Sequence, residues 1–163
     1  MRTAVFVGPI AVTTEYWEES QEDGAQETGC RVELRRVRQE LPDEAPPTPR
    51  KDAVYWAITD HLWRADLFSI VGGTRRFDAA HYHPTFERGV PCDRHLEGRI
   101  EDPYAWIASR LEDVPQILAE SGHGELAESL DPDELRQAMP AILAAIRATF
   151  DYRPNRTWLA PSP

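Results

Sequence analysis

The chain has 163 residues and a formal net charge of −10, enough for one domain with a sizeable core and too little for two. Its hydrophobic share of 41% and its five tryptophans exclude a disordered chain. The acidity argues against a general binder of nucleic acid or anionic lipid, although a local cluster such as Arg31, Arg35, Arg36 and Arg38 can still hold a phosphate.

Residues 3–17 are rich in Val, Ile, Thr and aromatics and read as strand, bent or bulged where Gly8-Pro9 interrupts. Residues 18–29 are acidic and Gly-containing and read as a solvated loop. Residues 30–38 alternate Val32 and Leu34 with charge, the pattern of an exposed or edge strand. Four prolines between 41 and 50 predict an extended connector. Residues 52–71 carry the densest strand signal, with either a turn near Asp60-His61 or one long bulged strand. Gly72-Gly73 predicts a hairpin turn, returning along residues 75–83.

From Asp102 the period changes. Asp102 is a helix cap followed by Pro103 at the first helical position. Tyr104, Ile107, Leu111, Val114 and Leu118 recur at helical spacing, and Pro115 predicts a kink or a split. Residues 121–124 break the helix, with His123 as a terminating residue. Asp131 to Glu134 form a capping-box arrangement opening a last helix with Leu135, Met139, Ile142, Ile146 and Phe150 inward and a kink at Pro140. Strands first and helices after predict an α+β domain over residues 1–151: an antiparallel sheet of four to six strands (3–86), two kinked C-terminal helices (103–150) on one face, and a Pro-rich tail over 152–163.

Two cysteines, Cys30 and Cys92, form no disulfide framework, which suits a reducing compartment. The opening MRTAVFVGPIAV lacks a signal-peptide pattern, and no apolar run approaches about 18 residues, so the expected location is the cytoplasm and no membrane span is expected. The basic residues are 17 arginines and Lys51, a codon bias read as bacterial.

Chemistry concentrates around the histidines. A two-residue turn at Gly72-Gly73 makes paired residue numbers sum to 145, so Arg64 opposes His81, Asp66 opposes Ala79 and Leu62 opposes His83. Alternation then gathers Arg64, Asp66, His81 and His83 on one sheet face. Folding alone rarely needs such a cluster. Two chemistries are open. His81 and His83 can ligate a divalent metal such as zinc, with Glu87, Cys92 or His95 completing the shell. Alternatively a histidine serves as general acid or base, Arg64 holds a phosphate or another anion, and Asp66 orients its neighbours. A structural hydrogen-bond network is the competing reading. Cys92 with His95 is a weak zinc half-site, His61 reads as an exposed turn residue, Trp56, Trp63 and Trp106 read as core, and Arg31 to Arg38 read as a solvated face paired with the acidic loop. No P-loop or GxSxG pattern occurs.

Phe77-Asp78-Ala79-Ala80 leading to His81-Tyr82-His83-Pro84, then Pro91 to His95, resembles the histidine-rich signature of TumE-type toxins of bacterial toxin–antitoxin systems. The match spans about residues 76–97 and lacks their asparagine. The resemblance implies a ribonuclease-like toxin held by an antitoxin-like protein partner, and draws attention to Asp78, His81, His83 and His95. His81-x-His83-x3-Glu87 also resembles the first metal motif of cupins, but helices follow where a cupin needs more strands. A non-catalytic interaction module is the third reading, suggested by the acidity and the proline-rich connector and tail. Neither the substrate nor the oligomeric state follows from the residues.

Overall fold

A computed structural model of the chain describes residues 1–20, 26–40, 54–69, 80–97 and 100–154. Five strands form one antiparallel sheet in the order of the chain: β1 (Arg2–Val7), β2 (Ile10–Ser20), β3 (Gln26–Gln39), β4 (Trp56–Ser69) and β5 (Ala80–His83). A small hairpin follows, β6 (Phe86–Glu87) and β7 (Val90–Pro91), then α1 (Pro103–Arg110), a 3-10 turn (Leu111–Asp113), α2 (Val114–Glu120), α3 (Gly124–Ser129) and α4 (Pro132–Phe150). The α+β class, the antiparallel sheet and the C-terminal helices are as the sequence predicts. Among the described residues no helix is long and apolar enough to cross a membrane.

Alternation along the strands sorts the sheet into two faces. Val12, Leu34 and Trp63 are cross-strand neighbours, as are Thr14, Val32, Ala65 and Tyr82. This face packs against Ile107, Leu111, Val114, Leu118, Ile142 and Ile146 of the helices. Helix α4 crosses β1, β2 and β3, while α1 and α2 lie on β4. The Thr14 and Thr149 hydroxyls meet at 2.6 Å inside that interface. The other face carries the charge.

Several expectations need correction. Gly8-Pro9 is a full reversal, not a bend: Val7 pairs with Ile10, and Gly8 has φ +49°, which suits a turn with positive φ at its first central residue only. Residues 30–38 are not an edge but the middle of the sheet, because their charges mark the face away from the helices rather than an exposed edge. The strand continues at Asp60-His61, where register shifts opposite Leu34, Arg35 and Val37 absorb extra residues. The predicted acidic loop is mostly strand, with residues 21–25 outside the described set. Gly72-Gly73, the connector at 41–50 and the tail from 155 also lie outside it.

The helices are capped as expected. Asp102 accepts from Tyr104 and Ala105 N–H, and Asp131 from Asp133 N–H. The first predicted helix is split before Pro115, where Asp113 caps the second piece by accepting from Gln116 N–H. The short α3 went unpredicted, and His123 opens it rather than ending a helix. Helix α4 runs unbroken through Pro140. Glu134 does not close a capping box; its carboxylate accepts from Gly8 N–H at 2.9 Å and fastens α4 to the first hairpin. Trp63 is core as predicted and Trp106 packs against it, but Trp56 is 58% exposed. Tyr152 lies edge-on to Tyr16 at 5.1 Å, so the start of the tail rests on the sheet.

Gly29 fixes the surface of the charged face. A Cβ there would collide with the Leu67 carbonyl oxygen and the Trp17 ring, so only glycine lets the indole approach β3 this closely. Replacing Gly29 with alanine is expected to destabilise the fold by roughly 1–3 kcal/mol, the range for overpacking, as read by urea unfolding. Adding Trp17→Ala should not restore stability, because the carbonyl clash is with backbone.

Candidate functional site

The cross-strand register builds the site. Asp66 directly opposes His81, and Arg64 opposes His83. Paired numbers therefore sum to 147 rather than 145, a slip of two residues. The parity is unchanged, so Arg64, Asp66, His81 and His83 do share one face as predicted, with His81 opposite Asp66. On the other side Arg31 of β3 opposes Asp66, and Glu15 of β2 opposes Arg31. Cross-strand neighbours on one face are about 5 Å apart at Cβ. The row Glu15, Arg31, Asp66, His81 thus alternates in sign up to the histidine.

Asp66 is the centre, with 2% of its surface exposed. Arg31 Nε lies 3.2 Å from one carboxylate oxygen and Arg64 Nη2 2.7 Å from the other, Oδ2. His81 Nε2 and His83 Nε2 lie 3.5 Å and 4.0 Å from that same Oδ2. Burial by itself would raise the Asp66 carboxyl, but nearby His81 and the Arg64 and Arg31 charges outweigh it and hold the group at about 2.

His83 is oriented from behind. Its Nδ1 lies 3.0 Å and 3.1 Å from the carbonyl oxygens of Cys92 and Asp93. Carbonyls only accept, so Nδ1 carries the proton and donates. Burial pushes the imidazole below its ordinary range, against the Cys92 bond and helped by nearby His81 and Arg64. In the neutral ring Nε2 is then a bare lone pair, pointed at the carboxylate of Asp66. Two electron-rich atoms face each other and call for a proton or a cation between them.

The three ligand atoms of Asp66, His81 and His83 lie within 4.8 Å of one another. Ligands of a tetrahedral ion with bonds of 2.0–2.1 Å sit roughly 3.3 Å apart, so a small contraction brings this set to bonding distance. A carboxylate oxygen has two lone pairs, which lets Arg64 and an ion share Oδ2. The other expected ligands do not join. His95 pairs with Tyr82 through two backbone hydrogen bonds, and its ring stacks on Tyr82 at 5.1 Å; Tyr82 belongs to the helix-covered face, so His95 is on the wrong side. Glu87 is exposed on the small hairpin, and Cys92 contributes its carbonyl rather than a thiolate. Cys30 is no nucleophile, because burial pushes its thiol up to about 12. Asp78 lies outside the described residues.

A cleft of about 470 Å³ opens beside the cluster, with Asp66, Arg64, Arg31 and His81 along one end and Trp17 and Phe68 along its wall. Trp17 and Phe68 meet edge-on at 5.1 Å, and Phe68 leans on His81 at 5.3 Å. Glu18, Glu19, Glu27 and Arg94 complete the lining. The parts that Arg31, Trp17 and Gly29 play here were not foreseen from the sequence. Pairing the strands on either side of residues 21–25 would have placed all three beside Asp66.

A second polar group sits further along β4. His61 Nδ1 lies 3.1 Å from Glu33 Oε1, Arg35 Nη1 is 3.2 Å from the other Glu33 oxygen, and Phe86 stacks on His61 at 5.0 Å. His61 is therefore a half-buried strand residue, not an exposed turn. Among the arginines of β3, Arg31, Arg35 and Arg36 are engaged by Asp66, Glu33, Asp60 and Glu125.

No family model matches this chain, and neither a curated protein nor a solved structure does. Nothing in these comparisons bears on the resemblance to TumE-type toxins.

The depressed Asp66 group stabilises the fold above its unfolded value near 4, and that contribution is lost as pH falls toward 2. With a chelator present, the stability gap between the protein and Asp66→Asn is expected to shrink by roughly 2 kcal/mol from pH 5 to pH 2, as read by urea unfolding at each pH. A gap independent of pH would contradict the assignment.

Proposed function

We propose that the chain binds a divalent transition metal through Asp66 Oδ2, His81 Nε2 and His83 Nε2, and that this centre acts on a small molecule held in the adjoining cleft. The observation that carries the reading is the bare His83 Nε2 aimed at a buried carboxylate, its tautomer set by the Cys92 and Asp93 carbonyls. Metal-bound histidines are oriented in this way, by a second acceptor on the far nitrogen. Two imidazoles and one carboxylate suit zinc or ferrous iron. Three protein ligands leave a coordination position for water or substrate, the arrangement of a catalytic rather than a structural centre. Asp66 and His81 line the cleft, while His83 supports them from behind. A bound ion would supply Lewis-acid activation there.

Acid–base cleavage of RNA has less support. Arg31 and Arg64 both lie against Asp66, and Glu18, Glu19 and Glu27 at the cleft oppose a polyanion.

The reading is tested by elemental analysis of untagged protein, backed by titration of the chelated protein with zinc. One ion per chain is expected. His83→Ala and Asp66→Asn should each weaken binding by at least about tenfold, whereas His95→Ala and Glu87→Gln should leave it unchanged. Sub-stoichiometric metal, with no uptake on titration, would end the proposal.

A further inference from the structure

The two edges of the five-stranded sheet are finished differently. β5 forms one edge, and its outward groups at Tyr82 are taken: Tyr82 N–H donates to the His95 carbonyl at 3.1 Å, and His95 N–H to the Tyr82 carbonyl at 2.9 Å. β1 forms the other, and among the described residues no strand pairs with its outer side. Pairing with β2 uses the backbone of the odd-numbered residues. Val7 and Ile10 flank the two-residue turn, and Tyr16 N–H donates to the Met1 carbonyl at 2.9 Å. Antiparallel pairs alternate, so the N–H and C=O groups of Arg2, Ala4 and Phe6 point away from the sheet. Edge strands are ordinarily blunted by a bulge, a proline or several charges. β1 has an unbroken register, no proline and a single charge, Arg2, which is turned back onto Glu15. Phe6 beside it is 51% exposed.

A second surface borders this edge. Helix α4 lies chiefly over β1 and β2. One of its flanks meets α1: Tyr104 Oη donates to the Leu143 carbonyl at 3.3 Å, and Arg147 lies over the Tyr104 ring at 3.7 Å. Because α1 sits over β4, the opposite flank of α4 looks toward the open side of β1. At helical spacing that flank carries Ala141, Ala145 and Ala148, of which Ala141 and Ala148 are exposed. Glu134 holds Gly8, and Thr149 holds Thr14, the cross-strand partner of Thr3, so the helix follows β1 along its length. The chain is strongly acidic, yet β1 and residues 138–148 contain no carboxylate.

We infer that the chain dimerises through this edge, β1 of one protomer pairing antiparallel with β1 of its partner. The register that sets Ala4 opposite the partner's Ala4 also sets Arg2 opposite the partner's Phe6 at both ends, with about six backbone hydrogen bonds between the strands. Each guanidinium then reaches an aromatic ring while keeping its bond to Glu15, and the two Arg2 side chains do not meet. Only methyl groups stand at the two-fold axis. The sheet runs on through both protomers, and the two copies of α4 come to roughly 10 Å from each other, the separation of packed helices when small residues line the contact. A foreign strand would satisfy the edge but leave the alanine flank bare. A second copy covers both with the same surface, as an isologous contact requires. This edge is remote from β4 and β5, so the inference does not depend on the proposed metal centre.

Sedimentation equilibrium of the untagged full chain tests the contact. A monomer–dimer equilibrium is expected, unchanged by a chelator. Ala4→Pro removes an outward N–H and leaves the bonds to β2 in place, so this variant should be monomeric. Phe6→Lys sets like charges opposite each other at both ends and should weaken association at least about tenfold. In a Cys92→Ser background, Ala4→Cys should give a disulfide-linked dimer under mild oxidation, because the paired Cα atoms lie about 5.5 Å apart. Arg2→Cys, roughly 13 Å from its counterpart, should not. Where Ala4→Pro does not fold, the cross-link decides. A chain that stays monomeric at every concentration would overturn the inference. So would a dimer that survives Ala4→Pro, leaves Ala4→Cys unlinked, or dissociates with the chelator.

Discussion

A carboxylate with almost no access to water organises this face of the sheet. Moving Asp66 out of solvent is costly in isolation, and the fold offsets that cost by placing one guanidinium on each oxygen. Those contacts follow from strand pairing: Arg31 stands opposite Asp66, and Arg64 precedes it by two residues on the same face. Once the charge is held, the histidines of β5 have a fixed anion to face. Such a pair contributes little net stability compared with apolar residues of equal volume, yet losing one partner leaves an uncompensated buried charge. A cluster of this kind is kept for chemistry or specificity more readily than for stability.

The division of labour between the two faces explains how the site coexists with a stable core. Helices cover only the face built from Val, Leu, Ala and Trp63, so the opposite face is free to carry polar rows. The hairpin β6–β7 and the residues after it cover part of that face at two points, through Phe86 on His61 and through the Cys92 and Asp93 carbonyls on His83. The second contact joins loop to site: it selects the tautomer that leaves a lone pair facing Asp66.

Much of this was legible in the sequence because side-chain alternation depends on parity alone. The predicted register erred by two residues, and an even error keeps every side chain on its face, so Arg64, Asp66, His81 and His83 came out together. What failed needed information beyond one strand. The role of β3 was misread because a charged alternation looks the same at an edge and in the middle of a half-covered sheet; only Arg31 meeting Asp66 separates the two. His95 was misassigned because sequence proximity to His83 says nothing of which face it shares, and its pairing with Tyr82 decides that. Trp17 lying over Gly29 required the pairing across residues 21–25, where acidity suggested a loop. The helices were easier, since Asp102, Asp113 and Asp131 mark their starts locally, but Glu134 bonding to Gly8 is a long-range choice no local pattern reveals.

The metal centre stands or falls with the protonation pattern of His83, which long-range ¹H–¹⁵N NMR of imidazole-labelled protein reads directly. The expected spectrum shows His83 neutral at pH 7 with its proton on Nδ1, and Nε2 shifting when zinc is added to the chelated protein. A proton on Nε2, or an Nε2 resonance indifferent to zinc, would contradict the central claim.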